Sequence, residues 1–129
     1  MPWNGGTCGG FNEGAKPWLP LYPKYSEINV EADKAGERSV FRYYKDIIAL
    51  RKANAVLRRG TFEDLTGEAK THFLYSRKYE GEEMIVLCNF EKEAEIPLPR
   101  GCERLLGNYP AHEDSVFSPY EAAIYRVKE

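Results

Sequence analysis

The sequence has 129 residues, of which 43% are hydrophobic, 29% charged and 13% aromatic, with a net charge of −2. That is chain enough for one core and too aromatic for a disordered segment. The mixed charge excludes a nucleic-acid binder, because the longest basic cluster, Arg58-Arg59, cannot neutralise a phosphate track. No stretch approaches the ~20 apolar residues of a membrane span, so no membrane partner is expected.

Residues 1–36 hold four of the eight Pro and follow neither a 3.6 nor a 2.0 period. They are expected to form an irregular arm, too apolar at Trp3, Phe11, Trp18, Leu19 and Tyr22 to be a free tail. Met1-Pro2-Trp3-Asn4-Gly5-Gly6 contains no apolar run of the signal-peptide kind. The spacing predicts a helix over 39–54, within a segment 37–56, with Ser39 as N-cap and Arg51 and Lys52 favourable in its last turn. Val40, Phe41, Tyr44, Ile47 and Ile48 form its expected buried stripe, with Tyr43 and Leu50 flanking. Burying such a face is worth roughly 10–15 kcal/mol gross, so it needs a partner surface.

Residues 57–129 read as short strands divided by turn residues: 60–65, 71–79, 83–90, 94–98, 104–106, 115–117 and 122–127. In the second, Phe73, Tyr75 and Arg77 share one face and His72, Leu74 and Ser76 the other. Met84-Ile85-Val86-Leu87-Cys88 is apolar on both faces, which places Val86 in the expected core. The fold class is therefore α+β: an irregular arm and one long helix packed on an antiparallel β-sandwich.

The chemistry-bearing residues are sparse. Cys8, Cys88 and Cys102 form no CxxC pair and lie far from His72 and His112, so neither a metal nor another cofactor is expected. Three reduced thiols, with Cys88 an inert core thiol, fit a cytoplasmic protein. The two histidines are expected at surface or loop positions. The Tyr120 hydroxyl is expected to be tied to backbone.

The ordered pieces are similar to a known family. Met1-Pro2-Trp3-Asn4 with Gly9-Gly10-Phe11, Lys16-Pro17-Trp18-Leu19-Pro20 and Ile28-Asn29-Val30 resembles the segment after the last barrel strand of glycoside hydrolase family 13 α-glucosidases. The stretch from Ser39-Val40-Phe41 to Leu50-Arg51-Lys52 resembles the final barrel helix. Phe73-Leu74-Tyr75-Ser76-Arg77, Val86-Leu87-Cys88-Asn89-Phe90 and Ser118-Pro119-Tyr120-Glu121-Ala122 resemble the all-β domain that follows, in the manner of oligo-1,6-glucosidases.

The resemblance implies a retaining glycosidase acting on short α-glucans, whose two catalytic carboxyl groups stand about 5–5.5 Å apart. In the family these groups come from earlier strands of a barrel of ~250 residues. No catalytic residue is therefore assigned here, and no hydrolysis is expected from this chain alone. Glu82, Glu83, Glu91, Glu93, Glu113 and Asp114 are read as turn and strand-end acids. By resemblance Trp3, Asn4 and Phe11 are candidate substrate-binding residues in an intact enzyme, although the family usually has an acid where Asn4 stands. In this chain alone, Trp3 and Phe11 are read as apolar packing anchors. The expected partners are the (β/α)8 barrel and, in its absence, a second copy meeting Phe41, Tyr44 and Ile48. The alternative is an independent carbohydrate-binding or protein-interaction module, which exposed aromatics in a flat row would favour.

Overall fold

A computed structural model describes residues 1–14, 16–99, 101–112 and 114–128. The chain divides into two compact units, residues 1–48 and 49–129.

The first unit is more regular than its composition suggests. Its segment before residue 36 contains a 3-10 turn, Thr7–Gly10, and a short helix α1, Val30–Ala35. Asn29 caps α1: its Oδ1 accepts from Ala32 N–H at 2.9 Å, while its Nδ2 donates to Tyr25 O. Glu31 and Asp33 in the first turn and Lys34 in the last complement the helix dipole.

The long helix α2 spans Val40–Ala53, as the spacing predicts. Ser39 Oγ accepts from Arg42 N–H at 3.1 Å, which makes it the expected N-cap. Asp33 adds a second cap, accepting from Val40 N–H at 3.0 Å and Phe41 N–H at 2.9 Å. The Phe41 amide, with the smaller help of Val40 and Ser39, holds the Asp33 carboxyl below its ordinary range against a weaker pull from desolvation.

Of the apolar stripe predicted for α2 only Ile47 is covered, and Phe41, Tyr44 and Ile48 stay open as a face that needs a partner surface. Tyr43, Ile47 and Leu50 are half-buried, whereas Val40, Phe41, Tyr44 and Ile48 are exposed. The helix carries two adjacent apolar stripes, and periodicity alone does not choose between them.

The second unit is all antiparallel apart from helix α3, Ala55–Arg59. Its strands are β1 Thr61–Asp64, β2 His72–Tyr79, β3 Glu82–Asn89, β4 Ala94–Glu95, β5 Cys102–Gly107, β6 Val116–Phe117 and β7 Ala122–Val127. All seven lie within or beside a predicted strand. Five form one sheet in the order β1-β2-β3-β7-β5, and β4 pairs β6 as a separate ribbon. Glu80 and Gly81 both take positive φ in the two-residue turn from β2 to β3, as a type I′ hairpin needs.

The ribbon closes one face of the sheet. Ile96 and Phe117 bury themselves against Leu74, Ile85, Leu87, Ala123 and Tyr125. Asn89, 2% exposed, fastens the ribbon by donating from Nδ2 to Lys92 O and Ser118 O, 3.0 and 2.9 Å away. On the opposite face α3 covers only one end, where Val56 and Leu57 meet Met84, with Leu50, Tyr79 and Leu105 beside them. Beyond α3 that face is bare, so Val86 and Cys88 are half-buried rather than central in a core.

This corrects the reading of Val86. Ile85 is fully buried and its neighbour is not. Ile85→Ala is expected to lower unfolding stability by about 2–5 kcal/mol, and Val86→Ala by clearly less. Urea titrations of the two variants check the ordering; equal losses would show both faces equally closed.

Candidate functional site

Residues 2–4 are held to the start of α1. Pro2 O accepts from Val30 N–H and Trp3 O from Glu31 N–H, both at 3.0 Å. These amides belong to the first turn of the helix and have no partner inside it. Trp3 N–H donates to Gly9 O at 2.8 Å, folding the loop back on itself. Asn4 Oδ1 accepts from Gly6 N–H at 3.0 Å. Gly10, at φ +75°, lies against Trp3 and Asn4 so closely that a Cβ there would meet Asn4 Nδ2 at 2.8 Å.

Trp3 and Phe11 project from this scaffold 58% and 50% exposed, so they are not the buried anchors expected. Phe11 lines a cleft of about 450 Å³ with Trp18, Leu19 and Tyr22. Trp3 and Asn4 are not among the described residues that line it. The cleft wall is mostly apolar, and Trp18 is 95% exposed. A sugar is held by polar groups converging on its hydroxyls. This wall offers aromatic contact with few such groups.

Glu82, Glu91, Glu93 and Asp114 are exposed and Glu83 is half-buried; Glu113 lies outside the described residues. Among the described residues the buried carboxylate is Glu121, at 1% exposure, in the Ser118-Pro119-Tyr120-Glu121-Ala122 stretch that carries part of the resemblance. Its Oε1 faces Arg104 Nη2 at 3.3 Å and His112 Nε2 at 3.0 Å, and its Oε2 accepts from Ser118 N–H at 2.9 Å. Arg104 also donates to Tyr109 O and Pro110 O. A Cβ on Gly107 would collide with its guanidinium. Every oxygen of Glu121 is thus committed to holding loops, which is a structural task.

His112 is accordingly not an isolated surface histidine. Its Nδ1 faces Asp114 Oδ1 at 2.9 Å, so both ring nitrogens meet acceptors and the imidazolium is favoured. Burial pulls its pKa down, but the hydrogen bond and charge of Glu121, with Asp114, outweigh burial and raise it. The hydroxyl tied to backbone belongs to Tyr109, which donates to Pro119 O at 3.0 Å; Tyr120 is exposed.

No helix is long and apolar enough to cross a membrane, and no cluster of three metal-ligating side chains occurs among the described residues. Burial pushes the Cys88 and Cys102 thiols up, with Glu83 adding to the effect on Cys102. Thiols so placed are poor nucleophiles.

The raised His112 pKa has a consequence for stability. The His112 contribution is full below the unfolded histidine value of about 6.5 and is lost as pH rises through the higher folded value. His112→Gln is expected to remove that decline. Melting temperatures across pH 5–9, a window of roughly two units either side of neutrality, check this; an unchanged profile in the variant would contradict it.

The family described as "Alpha amylase, catalytic domain" matches residues 1–60. Across 97% of its length the chain is 37% identical to the probable oligo-1,6-glucosidase 2 of Bacillus subtilis, and it covers 24% of that protein. It is 35% identical to the oligo-1,6-glucosidase of Halalkalibacterium halodurans over 99% of this chain and 25% of that protein. Over 84% of its length it is 36% identical to the trehalose-6-phosphate hydrolase of Escherichia coli, of which it covers 19%. Among solved structures, the trehalulose synthase MutB of Pseudomonas mesoacidophila superimposes with a TM-score of 0.86 at 29% identity, over 98% of this chain and 24% of that one. The isomaltulose synthase PalI of Klebsiella gives 0.88 at 31% identity, over 99% and 24%. The chain spans about a quarter of the length of these oligo-1,6-glucosidases, and it belongs to the α-amylase family, glycoside hydrolase family 13, with oligo-1,6-glucosidases among its relatives.

Proposed function

We propose that this chain is the non-catalytic C-terminal portion of a retaining α-glucosidase of the cytoplasm that acts on short α-glucan oligosaccharides. In this reading residues 1–36 are the loop after the last barrel strand, 37–56 the final barrel helix, and 57–129 the C-terminal β-domain. Its task is to cover the barrel and to present Trp3, Asn4 and Phe11 beside the substrate. The observation that carries it is the unclosed apolar surface of α2. Phe41, Tyr44 and Ile48 are 46%, 63% and 49% exposed on a helix with no fully buried residue, and surface of that kind marks an interface. The named relatives include hydrolases, a trehalulose synthase and an isomaltulose synthase. Their shared quarter is thus compatible with different chemistries, which fits a supporting role rather than one that selects the reaction.

In the chain by itself, the same stripe supports pairing of two copies about a two-fold axis. The aromatic cluster Phe62, Phe73 and Tyr75 does not favour a carbohydrate platform. Its rings are tilted 32–40° to one another, where a sugar-stacking row is flat.

The test mixes the full chain with the Bacillus subtilis relative shortened by the quarter that this chain matches. The chain alone is expected to leave a nitrophenyl α-glucoside unhydrolysed, and the mixture to turn it over faster than the shortened relative does. Turnover by the chain alone that survives repurification, or no gain on mixing, would contradict the proposal. Sedimentation of the chain alone reads out the pairing, with Ile48→Glu expected to leave a monomer.

A further inference from the structure

A cavity of about 410 Å³ lies within the second unit, on the ribbon side of the sheet and opposite α3. Leu98 and Pro99 give it apolar surface. Its polar lining is Arg104, His112, Asp114, Ser115 and Tyr125. The volume is that of a small-molecule site.

Tyr125 is the residue the fold leaves incomplete. It is 6% exposed, and its hydroxyl makes no hydrogen bond among the described residues. A buried Tyr hydroxyl ordinarily has a partner. Arg104 stands opposite Tyr125 in the β5–β7 ladder, but its guanidinium is engaged elsewhere, by Tyr109 O, Pro110 O and Glu121 Oε1. The partner of the hydroxyl therefore has to come from the cavity. One water occupies only about 30 Å³, a small part of this space.

The charges around the cavity cancel. Arg104 and His112 are its described cations, and both face Glu121, with Asp114 at the other nitrogen of His112. Two cations against two carboxylates leave no net field for an ion. Acceptors, in contrast, stay open. Asp114 Oδ1 accepts from Val116 N–H and meets His112, while its Oδ2 serves no described residue. Ser115 Oγ donates to Glu95 Oε1 at 3.4 Å and keeps its lone pairs. The Tyr125 hydroxyl both donates and accepts. A ligand matched to this set is uncharged and offers several O–H donors.

We infer that this cavity binds one hexose unit of a neutral saccharide, with Asp114 Oδ2, Ser115 Oγ and the Tyr125 hydroxyl meeting its hydroxyls. Acceptors on the adjacent residues 114 and 115 suit vicinal hydroxyls, and Leu98 and Pro99 suit the C–H face of a pyranose ring. The cleft at Phe11 and Trp18 lacks such convergent polar groups, so the two places are chemically unlike. The inference does not depend on the chain being a barrel complement.

The test titrates the 15N-labelled full chain with isomaltose, glucose, inorganic phosphate and Tris, and follows the backbone amides by NMR. Both sugars are expected to shift the Cys102, Arg104, Ser115 and Tyr125 amides with a Kd in the millimolar range, and to leave those of Phe11, Trp18 and Tyr22 in place. Tyr125→Phe, which removes no hydrogen bond of the fold, is expected to weaken binding about fivefold at an unchanged melting temperature, as the loss of one hydrogen bond implies. Asp114→Asn, which keeps the acceptor that Val116 uses, is expected to weaken it about tenfold, as the loss of a charged acceptor implies. No shift at roughly 50 mM sugar, far above a millimolar Kd, would overturn the inference. So would shifts confined to residues 1–22, or an affinity unchanged in either variant. Phosphate or Tris binding here more tightly than either sugar would assign the cavity to an ion and overturn it as well.

Discussion

Strand β3 is apolar on both faces, and the chain itself closes only one of them. On the closed face Ile85 and Leu87 are sealed by the β4–β6 ribbon through Ile96 and Phe117. On the other, α3 reaches Met84 and no further, which leaves Val86 and Cys88 half-buried beneath an aromatic patch. Apolar surface removed from water contributes roughly 25 cal/mol per Å², so a strand built this way is half of a larger packing arrangement. The exposed stripe of α2 repeats the same incompleteness on a helix. Both are what the proposed role of the chain as a complement to a barrel requires.

Polar groups carry a different part of the structure. Where the ribbon meets the sheet, Asn89 binds two loop carbonyls, and Glu121 gathers Arg104, His112 and the Ser118 amide. These contacts join loops that no strand ladder connects. A buried carboxylate needs such company, because leaving one partner out exposes an uncompensated charge. Glu121 is thus a tie between loops, and the rise in the His112 pKa is a by-product of that tie.

Much of this was legible in the sequence. The strands announce themselves through alternation, the continuous apolar run of β3 and turn residues, and Ser39 and the Arg51-Lys52 pair bracket the long helix. Three things were not legible. Helix α1 has six residues, too few for a period, although Asn29 followed by Glu31 and Asp33 was a usable cap signal. The two apolar stripes of α2 satisfy the same spacing, and burial fell on Tyr43 and Leu50, the flanking residues, with only Ile47 of the stripe expected. The Glu121 cluster draws partners from 3, 9 and 17 residues away, a separation with no periodic signature. As for the candidate site, spacing placed Trp3, Asn4 and Phe11 in one loop. Whether they face a cleft depends on turns at Cys8, Gly9 and Gly10 with positive φ, which only Phe11 follows into the cleft wall.

The central claim is that apolar surface left open in this chain is closed by the rest of a family 13 enzyme. Heat capacity measures that burial most directly. Titrating the chain into the shortened Bacillus subtilis relative at several temperatures is expected to give a binding ΔCp that is large and negative, of the size seen when on the order of 1,000 Å² or more leaves water. Binding with a ΔCp near zero would mean that the bare faces of β3 and α2 remain in contact with water, and would contradict the claim.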